Sequence, residues 1–200
     1  LGSFFFLGVL LVGVDLLPDA PFGTDRCGTC TRCLEACPTE ALVGPRILDA
    51  TRCISYLTIE LKAEIPVELR SRIGDLLYGC DICQEVCPWN ERFAPLLPDD
   101  SPYMARTALG NKASRTLARE LLVMNDAEFR ESFTGSPMKR AKLRGLKRNA
   151  AVVLGNVGTA EDILALEEAR SDPEPLVREH ADWGLGEIRS RLRAATLDEA

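Results

Sequence analysis

The apolar and polar positions divide the chain into three stretches. Residues 1–22 open with a run, Leu1 to Val14, that carries no charge. A membrane-spanning helix needs roughly 18 such residues, and no basic segment precedes the run as in a signal peptide. Gly2, Gly8 and Gly13 interrupt it, and Phe4-Phe5-Phe6 favours extended backbone. The pattern predicts a buried strand and a short apolar segment, closed by Pro18 and Pro21. Because residue 1 is Leu rather than Met, the expectation is a fragment or processed product with further chain upstream. Residues 23–100 mix short apolar groups with turn residues. Residues 101–200 read as helices. The boundary is the breaker-rich Pro95, Pro98, Asp99, Asp100, Ser101, Pro102.

Within the last stretch, Leu117, Leu121 and Met124 follow helical spacing after Ser114. Ser136-Pro137 reads as a cap and a first-turn proline. Thr159 and Asp162 form a capping-box pattern before Ile163, Leu164 and Leu166. A repeat is also visible. Leu146, Ala150, Leu154, Gly155 and Val157 recur as Val177, Ala181, Leu185, Gly186 and Ile188, and a basic residue follows the first position each time, Lys147 and Arg178. Small positions let helices approach closely, and the aliphatic ones form a buried stripe. The pattern resembles short HEAT-like repeats, helical hairpins stacked into a solenoid.

All 8 cysteines lie in the middle stretch, and they set its class. Cys27, Cys30, Cys33 and Cys37 form C-x2-C-x2-C-x3-C followed by Pro38, the run of bacterial two-cluster ferredoxins. Three thiolates two residues apart wrap one cube, and the fourth reaches the other cluster. The second run is incomplete: Cys80, Cys83 and Cys87 precede Pro88, but Leu77 stands where a leading cysteine belongs. The isolated Cys53 can replace it. Cluster one then takes Cys27, Cys30, Cys33 and Cys87, and cluster two takes Cys37, Cys53, Cys80 and Cys83. Zinc sites pair separated C-x2-C or His elements instead, and disulfide frameworks belong to small secreted domains. Metal-bound thiols imply a reducing compartment, hence the cytoplasm. Leu34, Ile54, Ile82 and Val86 would exclude water from the cubes and tune their potentials, with Trp89 as another wall. The fold class expected is α+β: a ferredoxin-like domain with two [4Fe–4S] clusters, then an all-α region. Such clusters pass single electrons.

Charge adds a third feature. Residues 1–100 hold 8 Lys/Arg and 15 Asp/Glu, residues 101–148 hold 11 and 4, and residues 149–200 hold 5 and 11. A basic block between acidic ones points to an anionic partner. Lys139, Arg140, Lys142, Arg144, Lys147 and Arg148 follow one another without an acid among them. On a helix begun at Ser136-Pro137 they spread over a broad arc rather than one line. A stripe of this kind binds phosphates without sequence preference; the plainer reading is a solvated helix face. His180, the one histidine, has no partner ligands and reads as a surface or packing residue. Asp99-Asp100 reads as a linker pair, and Gly184-Leu185-Gly186 as repeat packing.

The segments GTDRCGTCTRCLEACPTEAL (23–42), LDATRCISYLTIELK (48–62) and GCDICQEVCPWN (79–90) resemble the epoxyqueuosine reductase family, as do the opening GSFFFLG (2–8) and the repeat-bearing tail. Cys53 within CISYLTIE is the most discriminating of these features. The resemblance implies a tRNA-modifying oxidoreductase that reduces epoxyqueuosine in tRNA to queuosine, using cobalamin and two [4Fe–4S] clusters. It implies that residues 1–22 end a cobalamin-binding domain, that 23–100 are the ferredoxin-like domain and 101–200 the helical region. Most of the cobalamin domain and the acidic proton donor would lie upstream. Ser55 and Asp81 become the candidates for touching cobalamin. Partners implied are tRNA and an external electron donor, with no membrane and a monomeric state expected. The competing readings are a plain ferredoxin-like carrier, another corrinoid iron–sulfur reductase such as a reductive dehalogenase, and, more distantly, a HEAT-type binding module. The basic block and helical tail argue against the plain carrier, which needs neither.

Overall fold

A computed structural model describes residues 3–5, 7–94, 97–101, 104, 109–110 and 112–198, the last two without side chains. Leu1, Gly2, Phe6, Pro95 and Pro102 of the sequence reading lie outside these residues. Every regular element of the first half is short. Helix α1 spans Arg32–Ala36, and a bulged antiparallel pair follows, β1 (Leu42–Gly44) and β2 (Ile47–Leu48). A π-helical turn covers Tyr56–Glu60. Helices α2 (Val67–Arg70), α3 (Ile82–Glu85) and α4 (Pro88–Phe93) complete this half. Pro88 at the first position of α4 supplies the fixed φ of a helix start without losing a needed donor. Helices α1 and α3 each begin within a cysteine run and pack on each other. Neither buries a residue fully, so here the chain follows the thiols rather than a core.

The second half is helical: α5 (Ser114–Val123), α6 (Asp126–Ser132), α7 (Lys142–Val157), α8 (Ile163–Ala169) and α9 (Pro175–Asp198). Helix α7 is the central element. It packs on α5 and α9, and α9 packs on α8. The Thr159–Asp162 capping box forms: Asp162 Oδ2 accepts from Thr159 N at 2.7 Å, and Thr159 accepts from Glu161 N. Burial pushes the Asp162 carboxyl up, but hydrogen bonds from Arg119, the Thr159 amide and Arg115 together hold it below the usual range. A second box at α6, unforeseen in the sequence, has Asn125 accepting from Ala127 N and Glu128 N. Ser136 Oγ accepts from Met138 N as expected, but only a 3-10 turn follows, Pro137–Ala141; Lys142, the first residue of α7, has φ +62°, which breaks the turn from the helix.

The repeat is present with a changed register. Leu146, Ala150, Leu154, Val177, Ala181, Leu185 and Ile188 are all buried. Lys147 and Arg178 hold the same turn: Lys147 Nζ donates to Asp172 Oδ2 at 2.8 Å, and Arg178 Nη1 to the carbonyls of Asp172 and Pro173 at 2.8 and 2.9 Å. The close helix approach, however, uses Gly155 with Gly184, not Gly186. A Cβ on Gly155 would stand 2.8 Å from the Gly184 Cα, and one on Gly184 2.6 Å from the Ala151 carbonyl oxygen, whereas Gly186 is open. Val157 is 39 % exposed while its counterpart Ile188 is at 1 %.

Two further expectations change. The opening is not a buried strand: among its described residues no strand forms, and Leu10, Leu11 and Leu17 are more than nine-tenths exposed. The uncharged apolar run with its phenylalanines suggested a strand, but among the described residues no strand pairs with it. The breaker-rich segment near residue 100 also does not divide two separate cores. Ile54, Leu57, Ile65, Leu69 and Ile73 pack with Val152 of α7 and Trp183 of α9, and Leu77 joins the helical core. His180 is completely buried at this junction. Its Nε2 accepts from Ile65 N at 3.1 Å, which leaves the proton on Nδ1, facing the Leu176 carbonyl at 2.8 Å and Glu179 Oε2 at 2.6 Å. Burial, with Arg70 and Arg148 nearby, lowers its pKa to about 3 despite the hydrogen bond to the Leu176 carbonyl, so the ring is neutral.

Candidate metal centres

All eight cysteines are free thiols. They line two cavities. Cys27, Cys30, Cys33 and Cys87 surround a cavity of about 310 Å³ together with Leu42, Pro88 and Trp89. Cys37, Cys53 and Cys80 surround a second, of about 30 Å³, with Ala41, Leu48, Ile54 and Ile82. Cys83 lines both. Each cavity thus draws thiols from both cysteine runs, the crossed pattern that the spacing suggests. No carboxylate lines either one. Among the described residues, no three His, Cys, Asp or Glu side chains form a site for a single metal ion. Thiolates on one zinc would lie about 4 Å apart, as zinc–sulfur bonds of about 2.3 Å require. A thiol-only set spread around an apolar cavity fits an iron–sulfur core better. The second cavity is the tighter, and its walls must spread to admit a core of the same size.

Each thiol set has its own supporting contacts. Beside the first cavity, Trp89 Nε1 donates to the Arg26 carbonyl at 2.9 Å and its ring stacks on Phe93. Asn90, nearly fully buried, donates to the Gln84 carbonyl at 2.7 Å and ties Ser3 of the opening to α4. Trp89 is therefore a wall, as expected. At the second cavity, burial pushes the Cys37 thiol up, but hydrogen bonds from the Ala41 amide (3.2 Å) and Thr39 outweigh it and hold the thiol below its ordinary range. Burial pushes Cys80 and Cys83 upward; neighbouring thiols add to this at both. Metal ligation requires the thiolate form.

The remaining candidates divide. Ser55 Oγ accepts from Cys80 N at 3.0 Å and faces the Cys80 carbonyl at 3.1 Å, so its donor is engaged in positioning a cysteine. Asp81 is exposed and accepts from the Gln84 amide. Of the six cations, Lys139, Arg140 and Lys142 are exposed. Arg140 pairs with Glu60 at 2.5 Å and Arg144 with Glu174 at 3.8 Å. The Lys147 side chain is 16 % exposed and held by Asp172. Arg148 does not belong to the surface stripe. It is fully buried and donates to the carbonyls of Leu57, Leu61 and Ala63 and to Asn149 Oδ1. Burial lowers its pKa to about 10, so it remains charged near neutrality. Sequence reading also missed Thr58 and Asn149, whose roles have no local signal. Thr58 accepts from Gly79 N, and Asn149 donates to the carbonyls of Thr58 and Leu77.

The 4Fe-4S double cluster binding domain family matches residues 26–90. The epoxyqueuosine reductase of Pseudomonas aeruginosa is 46 % identical over 92 % of this chain, and that of Escherichia coli 41 % over 98 %; the match covers 50 % of each relative. The chain therefore spans about half the length of these curated relatives. Among solved structures, an epoxyqueuosine reductase from Bacillus subtilis superposes with a TM-score of 0.70 at 37 % identity, covering 86 % of this chain and 45 % of that one. Another, an epoxyqueuosine reductase with an epoxyqueuosine-modified tRNA-Tyr stem loop, gives 0.67 at 36 %, covering 92 % and 47 %. By sequence and by fold, this chain is similar to the epoxyqueuosine reductases over about half of their length, and its residues 26–90 match the 4Fe-4S double cluster binding domain family.

Proposed function

We propose that this chain is the electron-transfer and tRNA-binding half of an epoxyqueuosine reductase, reducing epoxyqueuosine in tRNA to queuosine in the cytoplasm. The observation that carries this reading is the pair of apolar cavities, each lined by cysteines of both runs. In it, Cys27, Cys30, Cys33 and Cys87 hold one [4Fe–4S] cluster, and Cys37, Cys53, Cys80 and Cys83 hold the other. The clusters supply single electrons from an external donor, and cobalamin supplies the organometallic chemistry of the reduction. The protein's part is to hold the thiolates and to exclude water with Leu42, Ile54, Ile82 and Trp89. Toward cobalamin the chain offers the exposed Asp81 beside Cys80. Ser55 does not fit that role, since its hydroxyl hydrogen faces the Cys80 carbonyl, and no step is assigned to it.

For tRNA, Lys139, Arg140, Lys142 and Arg144 form the phosphate-facing set, with Lys147 at its edge. The stacking of α7 and α9 with the α8–α9 turn supports the HEAT-like description of this region. A tRNA backbone tracking such a face needs charge and curvature rather than base contacts. No described helix is long and apolar enough to cross a membrane.

The test is iron content after anaerobic reconstitution. About eight irons per chain are expected from two four-iron cubes, and Cys53→Ala should retain about four. Tightly bound zinc in place of iron, or an unchanged iron count in Cys53→Ala, overturns the ligand assignment.

A further inference from the structure

The second thiol set depends on one stretch of chain gripped from two sides. Cys53 precedes the π-helical turn Tyr56–Glu60. Turns of this type are rare and concentrate at functional sites. On one side the turn is joined to the Gly79–Cys80 backbone. Ser55 bonds both the amide and the carbonyl of Cys80, and Thr58 Oγ1 accepts from Gly79 N at 2.9 Å while donating to the Ile54 carbonyl at 2.7 Å. Two of the four cysteines assigned to the second cluster are therefore linked through this turn.

On the other side stands α7. The Arg148 guanidinium donates to the carbonyls of Leu57 at 2.5 Å and of Leu61 and Ala63 at 2.8 Å each. These are oxygens of the turn and of the chain leaving it, which have no partner within an ordinary helical ladder. Asn149 donates to the Thr58 carbonyl at 2.8 Å and to the Leu77 carbonyl at 2.9 Å, bridging the two segments that Ser55 and Thr58 join. Among the described residues Arg148 has no carboxylate partner. A buried cation tolerates this only when fixed dipoles replace its water, and here three of those dipoles belong to the ligand-bearing stretch. By contrast, among the described residues α7 makes no hydrogen bond to segments 26–37 or 83–93.

We infer that Arg148 and Asn149 are positioning residues for the second cluster: the helical half, through α7, sets where Cys53 and Cys80 stand. The inference rests on reading Cys37, Cys53, Cys80 and Cys83 as the ligands of a [4Fe–4S] cluster. It gives the exposed cations at the start of α7 a mechanical connection to one cluster and not to the other.

The test compares anaerobically reconstituted protein with three variants by EPR-monitored redox titration and by the rate of iron release to a chelator. Cys53→Ala identifies the signal of the second cluster. Arg148→Lys keeps the charge but replaces the planar fork by a single ammonium with three donors for the four acceptors that Arg148 serves, and Asn149→Ala cuts the bridge. Asn156→Ala is the control, since Asn156 also lies on α7 and donates to the Arg70 and Gly74 carbonyls, away from the ligand turn. Arg148→Lys and Asn149→Ala should shift the second cluster's potential and release its iron several-fold faster, with the first cluster unchanged. Asn156→Ala should alter neither. Unchanged second-cluster behaviour in both test variants, an equal change in both clusters, or the same selective effect from Asn156→Ala overturns the inference. Reconstituted wild-type protein that takes up no iron instead overturns the ligand reading beneath it.

Discussion

The two halves of the molecule are ordered by different means. Between residues 26 and 93 the helices are four to six residues long, and α1 and α3 bury nothing fully. Between residues 114 and 198, α7 alone has ten buried residues, from Gly145 to Gly155. Short helices of this kind do not hold themselves, because nucleation costs more than one turn returns. On the reading proposed above, metal fixes the cysteine loops of the first half, while the second stands on packed aliphatic side chains. The stretch from Ile54 to Leu77 belongs with the second half energetically, since its apolar residues pack against α7 and α9, although Cys53 at its start belongs with the first.

The largest effect expected from this difference follows iron removal. Metal-binding free energy at such a site is folding free energy. Chelation under anaerobic conditions should expose the backbone amides of residues 27–48 and 80–93 to rapid hydrogen exchange. Amides of α7 and α9 should remain protected. Equal protection across the chain with and without iron would erase the distinction between the halves.

A smaller effect should come from Gly184→Val. Its new side chain would begin 2.6 Å from the Ala151 carbonyl oxygen, a backbone atom that cannot step aside as a side chain can. Overpacking against backbone should cost on the order of 1–3 kcal/mol in denaturant unfolding. Gly186→Val meets open space and replaces a poor helix former by a better one, so it should be neutral or slightly stabilising, by under about 1 kcal/mol. If the two substitutions cost the same, the assignment of the helix contact to Gly184 is wrong.

The smallest structural change should accompany the joint replacement of Lys139, Arg140, Lys142 and Arg144 by Gln. Unfolding and cluster spectra should stay as they were, because none of the four is buried. Affinity for tRNA should fall at moderate salt and its dependence on salt should flatten, as each lost phosphate contact releases fewer counterions. Unchanged affinity and slope would leave these cations as a solvated helix face.

The grouping of the cysteines around two cavities was legible in the sequence because cysteine spacing is a local property. C-x2-C-x2-C-x3-C can reach only a few points in space, and counting eight thiols singled out Cys53. The capping box at Thr159–Asp162 and the buried positions of the repeat were legible for the same reason: three- and four-residue spacings fix which side chains share a helix face. The box at Asn125 carries the same kind of signal, Asn125 with Glu128 three residues on.

What the sequence determined by itself, then, was chemistry carried by spacing: two thiol sets, a helical tail and a basic segment. Tertiary structure alone decided which members of those patterns face what. Arg148 looked like the end of a basic stripe, but its acceptors lie 85 to 91 residues earlier in the chain. They cover it only because residues 57–63 fold onto α7. Gly184 replaced Gly186 at the helix contact because Trp183 and Ala151 fix the rotation of α9 against α7. Among the described residues the apolar opening forms no strand, because a strand is stabilised by a neighbour and its own pattern cannot supply one. Spacing along the chain sets what a side chain can do; only the packing of distant segments decides whether it meets water, backbone or metal.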